Sequence, residues 1–180
     1  MSVGLNHFDS GFDMGRYLTN AGYQALGYVG TSHDTANAAT ARLEGFCKAV
    51  EGGGGTVAKQ LCLHDMATYY TGFYGTEQLL AAGEPIDCIF YQNDAMAFGG
   101  LQYVHSKGLC VPQEIGIAGW GDLPITSVLP MRMTSMHVPH FKLGQVAAEM
   151  MLASLQCEPV ERTRDIGFKL IPGSTVLQTC

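Results

Sequence analysis

Short apolar runs alternate along this chain with longer stretches in which apolar residues return every three or four positions. The short runs Gln24–Val29, Thr56–Leu61, Ile86–Tyr91 and Ile115–Trp120 are too brief for helices and predict strands; Ile86–Tyr91, apolar and β-rich throughout, predicts a buried parallel strand. Between them the helical spacing predicts Phe12–Asn20, entered from Asp9-Ser10 and stopped at Gly22, and Thr35–Val50, which runs out into Gly52–Gly55. Further helices are predicted over Tyr69–Ala82, stopped by Gly83, and from Ala95 to the left-handed stop at Gly108. A long one follows over Pro139–Gln156, with proline in its first turn. Strand and helix taking turns in this way predict an α/β fold with parallel sheets and right-handed crossovers.

The densest chemistry lies in NDAMAFGGLQYVHSKGLCVPQEIGIAGWGD, residues 93 to 122. The run Ile86–Tyr91 gives way abruptly to Gln92-Asn93-Asp94, and Ile115–Trp120 to Gly121-Asp122. Ligands of open α/β sheets bind beyond such carboxyl-terminal strand ends. Asn93 has donors and an acceptor with which to discriminate hydroxyls, and Asp94 is placed to cap the helix starting at Ala95. The expectation is that Asn93 reads a ligand and Asp94 holds the backbone.

This segment resembles the effector-binding core of the LacI/GalR family of bacterial transcription regulators: ND, a small or apolar helix, G-x-x-VP, then a strand ending G-aromatic-x-D. Ala41-Arg42-Leu43-Glu44-Gly45-Phe46 is similar to the family's R-L-x-G-F helix. Leu129–Met136 is similar to its P-x-L-T-T segment, Pro172-Gly173-Ser174-Thr175 to its terminal R-x-S-T, and the opening VGLNHFDSG to its VGxxNxxAG. The match runs in order over nearly the whole chain. It implies the type I periplasmic-binding-protein-like fold, with two Rossmann-like parallel-sheet subdomains joined by three crossovers. Residues 1–30 and 137–158 would be a partial N-terminal subdomain, and 31–136 with 159–180 the C-terminal one. The helix-turn-helix headpiece would be absent.

The resemblance also implies a site and an interface. Arg42 matches the effector-contacting arginine, whose five donors suit vicinal hydroxyls or a carboxylate. Asn93, Asp122, Tyr69 and Trp120 complete the expected effector site. Tyr69, Tyr70, Phe73 and Tyr74 could wall a sugar, although an aromatic stripe on a helix is more often core, and Trp120 more often packs beneath a site than contacts its ligand. Phe98, Leu101, Leu123 and Leu129 are expected in a homodimer interface. Gly121 departs from the family: many members carry an aspartate there. Losing that carboxylate removes a charge that would repel an anion, and the G-aromatic-G-D-L pattern is similar to the gluconate-repressor branch, which favours a sugar acid as effector.

Composition narrows the alternatives. With 180 residues, 47% apolar and 14% charged, the chain has the make-up of an ordinary soluble globule. Ten Lys plus Arg stand against sixteen Asp plus Glu, a net charge of −6, with no basic cluster for phosphates, so operator DNA is expected to be reached only through a headpiece. The six cysteines are irregularly spaced and read as reduced, mostly buried thiols of a cytoplasmic protein, with Cys180 the exception at the exposed end. No apolar run approaches the ~20 residues of a membrane span.

Neither a cofactor nor a metal is called for. In His137-Val138-Pro139-His140 the proline prevents the regular helix that would align two ligand histidines. No serine sits in a G-x-S-x-G elbow, which argues against a hydrolase. Gly52–Gly55 follow a helix rather than a strand and so form no phosphate cradle. Three functions remain: the effector-binding and dimerisation core of a regulator, a periplasmic sugar-binding protein of the same fold, or an oligomerisation fragment that binds no ligand.

Overall fold

The computed structural model describes residues 1–32 and 37–178. In chain order the elements are β1 (Ser2–Gly4), α1 (His7–Asn20), β2 (Ala25–Thr31), α2 (Asn37–Gly52), β3 (Thr56–Leu63), α3 (Tyr69–Ala81) and β4 (Cys88–Tyr91). After these come α4 (Asp94–Ser106), β5 (Gly116–Ala118), the single turn α5 (Ile125–Val128), β6 (Ser135–His137), α6 (His140–Leu155), β7 (Thr163–Asp165) and β8 (Lys169–Ile171). Every predicted strand and helix is present. The first helix begins earlier than expected because Asn6, not Asp9-Ser10, is its cap and accepts from the Asp9 N–H. The predicted start of α2 at Thr35 lies outside the described residues. Gly22, Gly83 and Gly108 all adopt the positive φ expected of stops.

β3, β2, β4 and β5 form a parallel sheet in that order. The strands feed two cores, one per face, because successive side chains alternate. On one face Leu26, Tyr28, Cys88 and Phe90 meet Met14 and Leu18 of α1 and Phe46 and Val50 of α2. On the other, Val29, Ile89 and Tyr91 meet Leu79 of α3 and Met96, Ala97, Leu101 and Val104 of α4. The result is a three-layered, doubly wound sheet.

Small residues set how closely the helices pair. A Cβ on Gly11 would collide with the Arg42 carbonyl, and one on Gly45 with the Phe8 carbonyl, so α1 and α2 touch backbone to backbone. Gly72 and Gly99 play the same part between α3 and α4, against Met96 and Tyr69. Glycine inside a helix costs about 1 kcal/mol relative to alanine, and this close approach is what that cost supports.

The tail returns to this body. β8 pairs antiparallel with β6, and the buried Thr175 hydroxyl donates to the Ile117 carbonyl at 2.7 Å while accepting from the Thr134 N–H at 2.9 Å. A smaller unit stands beside it: β1 pairs parallel with β7, and α6 closes over them through Val146 and Met150 against Val3, Leu5, Val160 and Ile166.

Three expectations are corrected. The opening thirty residues do not belong together apart from residue 31 onward, since α1 packs on α2 and β2 is an inner strand of the main sheet. At the other end β7 joins β1, so the small unit runs over about residues 1–5 and 139–166. The cysteines are not mostly buried: Cys62, Cys110 and Cys157 are exposed, Cys47 is half-buried and Cys88 alone is fully enclosed among the described residues, which exclude Cys180. Nor is the tyrosine stripe core, because Tyr69, Tyr70 and Tyr74 are exposed; only Phe73 packs inward, edge-on to Tyr103.

Candidate functional site

The order β3-β2-β4-β5 reverses direction between β2 and β4, which makes the crevice beyond their carboxyl ends the natural ligand position. The buried Gln92 at the end of β4 latches the two strands: its side-chain oxygen accepts from the Thr31 N–H at 2.6 Å. Beside this switch point, three elements converge. Arg42 enters from α2, His7 from the first turn of α1, and Trp120 from the turn after β5.

Arg42 is 7% exposed. Its guanidinium carbon lies 3.9 Å from the centre of the Trp120 ring, a stacked cation–π contact worth about 0.5–2 kcal/mol, and its Nη1 lies 3.2 Å from His7 Nδ1. His7 and Trp120 are themselves in ring contact at 5.8 Å, and the Trp120 indole N–H points to the Ser10 hydroxyl at 3.4 Å. Burial, and then the neighbouring Arg42 charge, hold the His7 pKa below its usual 6.5. Burial raises that of Tyr28, and Arg42 acts against the rise. A planar, pre-positioned guanidinium beside an imidazole and an indole can grip vicinal oxygens or a carboxylate while offering an apolar face to a sugar ring. A hollow of about 400 Å³, lined by Ser2–His7 and Thr163–Asp165, ends at His7.

The remaining expected residues separate. Asn93 takes the capping role predicted for Asp94, and Asp94 braces the turn above the helix instead. Asn93 is the helix cap, with Oδ1 accepting from the Met96 N–H at 2.8 Å and Nδ2 donating to the Ala67 carbonyl at 3.0 Å. Asp94 is fully buried as a staple that accepts from the Leu123 N–H at 2.7 Å and the Ser135 hydroxyl at 2.6 Å. Burial raises the Asp94 pKa, and those two hydrogen bonds partly oppose the rise. Both residues therefore hold backbone. The sequence could not distinguish them, since either can accept at a helix start.

Asp122 pairs with His137 Nδ1 at 2.9 Å and accepts from the Thr126 hydroxyl at 3.3 Å. His137, read as a rejected metal ligand, is thus the partner of a site-flanking carboxylate. Tyr69 lies tilted against Tyr70, with ring centres 4.3 Å apart. Of the interface residues, Leu101 is 3% exposed and belongs to the core of its own chain, Phe98 and Leu129 are half-buried against that core, and Leu123 is exposed. Leu101 therefore has no surface to offer a partner. His7 was missed: the signal was a histidine directly after the cap Asn6, inside the VGLNHFDSG motif that had already been matched.

Gly121 has a physical reason. Its φ is +124°, a conformation L side chains rarely adopt, and a Cβ there would stand 3.5 Å from the buried Asp94 carboxylate. An aspartate would be strained and would face a like charge.

A doubly wound parallel sheet with polar side chains gathered beyond its strand ends is the architecture of the periplasmic-binding-protein-like class. The chain belongs to the periplasmic binding protein-like domain family, whose model matches residues 16–176. It is 26% identical over 188 residues to the HTH-type transcriptional regulator IdnR of Escherichia coli (strain K12), covering 98% of this chain and 53% of that protein. It is 29% identical over 147 residues to the HTH-type transcriptional repressor PurR of Proteus mirabilis (strain HI4320), covering 82% and 43%. Its fold matches that of a LacI family transcriptional regulator from Silicibacter pomeroyi at a TM-score of 0.90 and 26% identity, over 98% of this chain and 54% of that one. The chain thus spans about half the length of the curated relatives it matches. These relatives are regulators, neither transporter components nor enzymes. Among the described residues no helix is long and apolar enough to cross a membrane, and no group of three His, Cys, Asp or Glu could hold a metal ion.

Proposed function

We propose that this chain is the effector-binding and dimerisation core of a LacI-type bacterial regulator, and that its effector is a sugar or, better, a sugar acid. The observation that carries the reading is the Arg42 guanidinium held between Trp120 and His7 beside the switch point. The side-chain-free Gly121 supports an acid, since no carboxylate is presented where many relatives carry one. The effector would bridge the sheet body and a facing subdomain, biasing their closure. Operator DNA would be contacted through a headpiece outside the stretch covered by this chain, and the cytoplasm is the compartment where such a regulator works.

The test is thermal unfolding against sugars, sugar acids and sugar phosphates, because a ligand that binds only the folded state raises the midpoint, by about 2.7 kcal/mol of stability at a hundredfold excess over Kd. A rise with gluconate that is lost in Arg42→Lys, which keeps the charge but not the planar fork, is the expected result. No rise with any compound, at concentrations of tens of millimolar, would sink the reading. For the homodimer, the exposed Leu123, Ile125 and Val128 around α5 are the surface we propose. Val128→Asp should halve the mass by burying an unpaired charge, and Val128 is a cleaner probe than the core-packed Phe98. An unchanged mass in sedimentation would place the contact elsewhere.

A further inference from the structure

Of the tyrosines that enter the two cores, Tyr23 and Tyr91 have bonded hydroxyls. Tyr23 donates to the Pro112 carbonyl at 3.2 Å and accepts from the Leu177 N–H at 3.1 Å, and Tyr91 is paired with Thr76 at 2.7 Å. Tyr28 is different. It is 2% exposed, yet its hydroxyl has no hydrogen-bond partner among the described residues. Gln92, 4% exposed, is only half used: its oxygen accepts from the Thr31 N–H at 2.6 Å, while its Nε2 donates to no described residue. Because the Thr31 N–H needs an acceptor, the amide is fixed with its oxygen toward Thr31 and its two N–H donors turned away.

These two groups share a face and a boundary. Side chains alternate along strands, so Tyr28 and Gly30 of β2, Phe90 of β4 with Gln92 after it, and Ala118 of β5 with Trp120 after it all point to the α1–α2 side of the sheet. A Cβ on Gly30 would lie 2.7 Å from the Tyr28 hydroxyl and 2.9 Å from Gln92 Oε1, so the bare glycine lets both stand side by side at the end of β2. Arg42, stacked on Trp120, comes down on the same side, close enough for its charge to act on Tyr28. Among the described residues no fully enclosed side-chain nitrogen or oxygen lacks a partner. The Tyr28 oxygen and Gln92 Nε2 therefore keep a small opening, and with Phe46 and Phe90 packed against the Tyr28 ring it lies toward the crevice beyond the strand ends.

Burial raises the Tyr28 pKa, so the hydroxyl stays protonated and can donate or accept. Gln92 Nε2 only donates. With a carboxylate taken by Arg42, the group left for this pair is a hydroxyl, which accepts from the amide and donates to the phenol oxygen. An alkyl chain would leave both atoms unpaired, which is costly in an enclosed site. We propose that Tyr28 and Gln92 form the floor of the effector site and read a hydroxyl of the effector's carbon chain, selecting hydroxylated ligands over alkyl ones. This rests on reading the Arg42 cluster as the effector site. Gln92 then has two duties: its oxygen latches β2 to β4 and its nitrogen bonds the ligand, so occupancy is felt directly at the switch point.

The test is a ¹⁵N–¹H correlation titration of the chain with gluconate, glucose and hexanoate, an acid of the same carbon number without the hydroxyls. The indole N–H of Trp120, the one tryptophan in the chain, reports occupancy, and the Gln92 side-chain amide pair, assigned through Gln92→Met, reports the floor. Gluconate or glucose should move both signals, and hexanoate should leave the Gln92 pair in place. Tyr28→Phe keeps the ring that packs on Phe46 and Phe90 and removes only the hydroxyl. It should weaken binding of the hydroxylated ligand about threefold to tenfold, the worth of one hydrogen bond, without lowering the unfolding midpoint of the free protein. If Trp120 responds to gluconate or glucose while the Gln92 pair stays, if hexanoate moves that pair as far, or if Tyr28→Phe binds as tightly as the wild type, the floor does not read hydroxyls and the effector site stands. If neither signal answers gluconate or glucose at tens of millimolar, the effector reading and this one both fail.

Discussion

The four-stranded body and the β1–α6–β7 unit are cut from the same chain but are held together very differently. In the body each inner strand is buried on both faces, and the residues that alternate along β2 and β4 each find a helix opposite. In the small unit two three-residue strands meet one helix that buries only Val146 and Met150, while Phe141 at 88% exposure, Leu155 at 75%, Met151 and Leu152 stand in solvent. The body satisfies its own hydrophobic pattern. The small unit carries more apolar surface than its neighbours in this chain can cover, which leaves it the less stable part.

The sharpest way to expose that contrast is to empty the body. Phe46 is fully buried, its ring tilted against that of Phe90 with centres 4.9 Å apart, so Phe46→Ala should cost about 3–5 kcal/mol. In urea unfolding followed by fluorescence and circular dichroism, both probes should shift together. A shift confined to one would mean that the two faces of the sheet unfold separately.

Next in size is the staple between helix and turn. Removing the carboxylate in Asp94→Ala leaves the Leu123 N–H and the Ser135 hydroxyl without their acceptor, at about 1–3 kcal/mol for each such buried group. Asp94→Asn should cost less, because one amide oxygen remains and the Ser135 hydroxyl can turn to accept from the new amide. Equal losses in the two variants would show that packing, not hydrogen bonding, fixes this turn. The small unit should answer differently again: Met150→Ala is expected to cost about 1–2 kcal/mol locally, seen as roughly tenfold faster hydrogen exchange in β1 and β7 with exchange in β2 and β4 unchanged. Equal acceleration in the body would erase the distinction between the two regions.

The same contrast explains what could be read from the sequence. Strands such as Ile86–Tyr91 and helices such as Tyr69–Ala82 were legible because their burial is decided by alternation and helical period within the element. The assignment of Gln24–Val29 was not, because which sheet a strand joins depends on partners far along the chain; only the pairing with β3 and β4 settles it. Arg42 and Trp120 were legible through their motifs, and the structure brings them into contact. The division of labour between Asn93 and Asp94 was not, since it turns on whether Leu123 and Ser135 lie above the helix start, which no local pattern encodes. His7 escaped for a similar reason: its meaning comes from an arginine thirty-five residues away.

The smallest expected effect lies where the two regions meet, at His7, which follows directly on the β1 turn and packs against the body. Its pKa in the folded protein is lowered from 6.5, so between that lowered value and 6.5 the unfolded chain binds more protons than the folded one. Stability from this residue is therefore complete above about pH 6.5 and falls as the pH drops toward the lowered value. The ring is far from fully enclosed, so solvent screens the effect and keeps it small. Comparing urea midpoints at pH 7.5 and 5.5 in the wild type and His7→Gln cancels the other groups that titrate in this range. The wild type should lose more on acidification than the variant does. If the two lose equally, the Arg42 field is not felt at His7 in solution, and the imidazole belongs to the loosely held small unit rather than to the body.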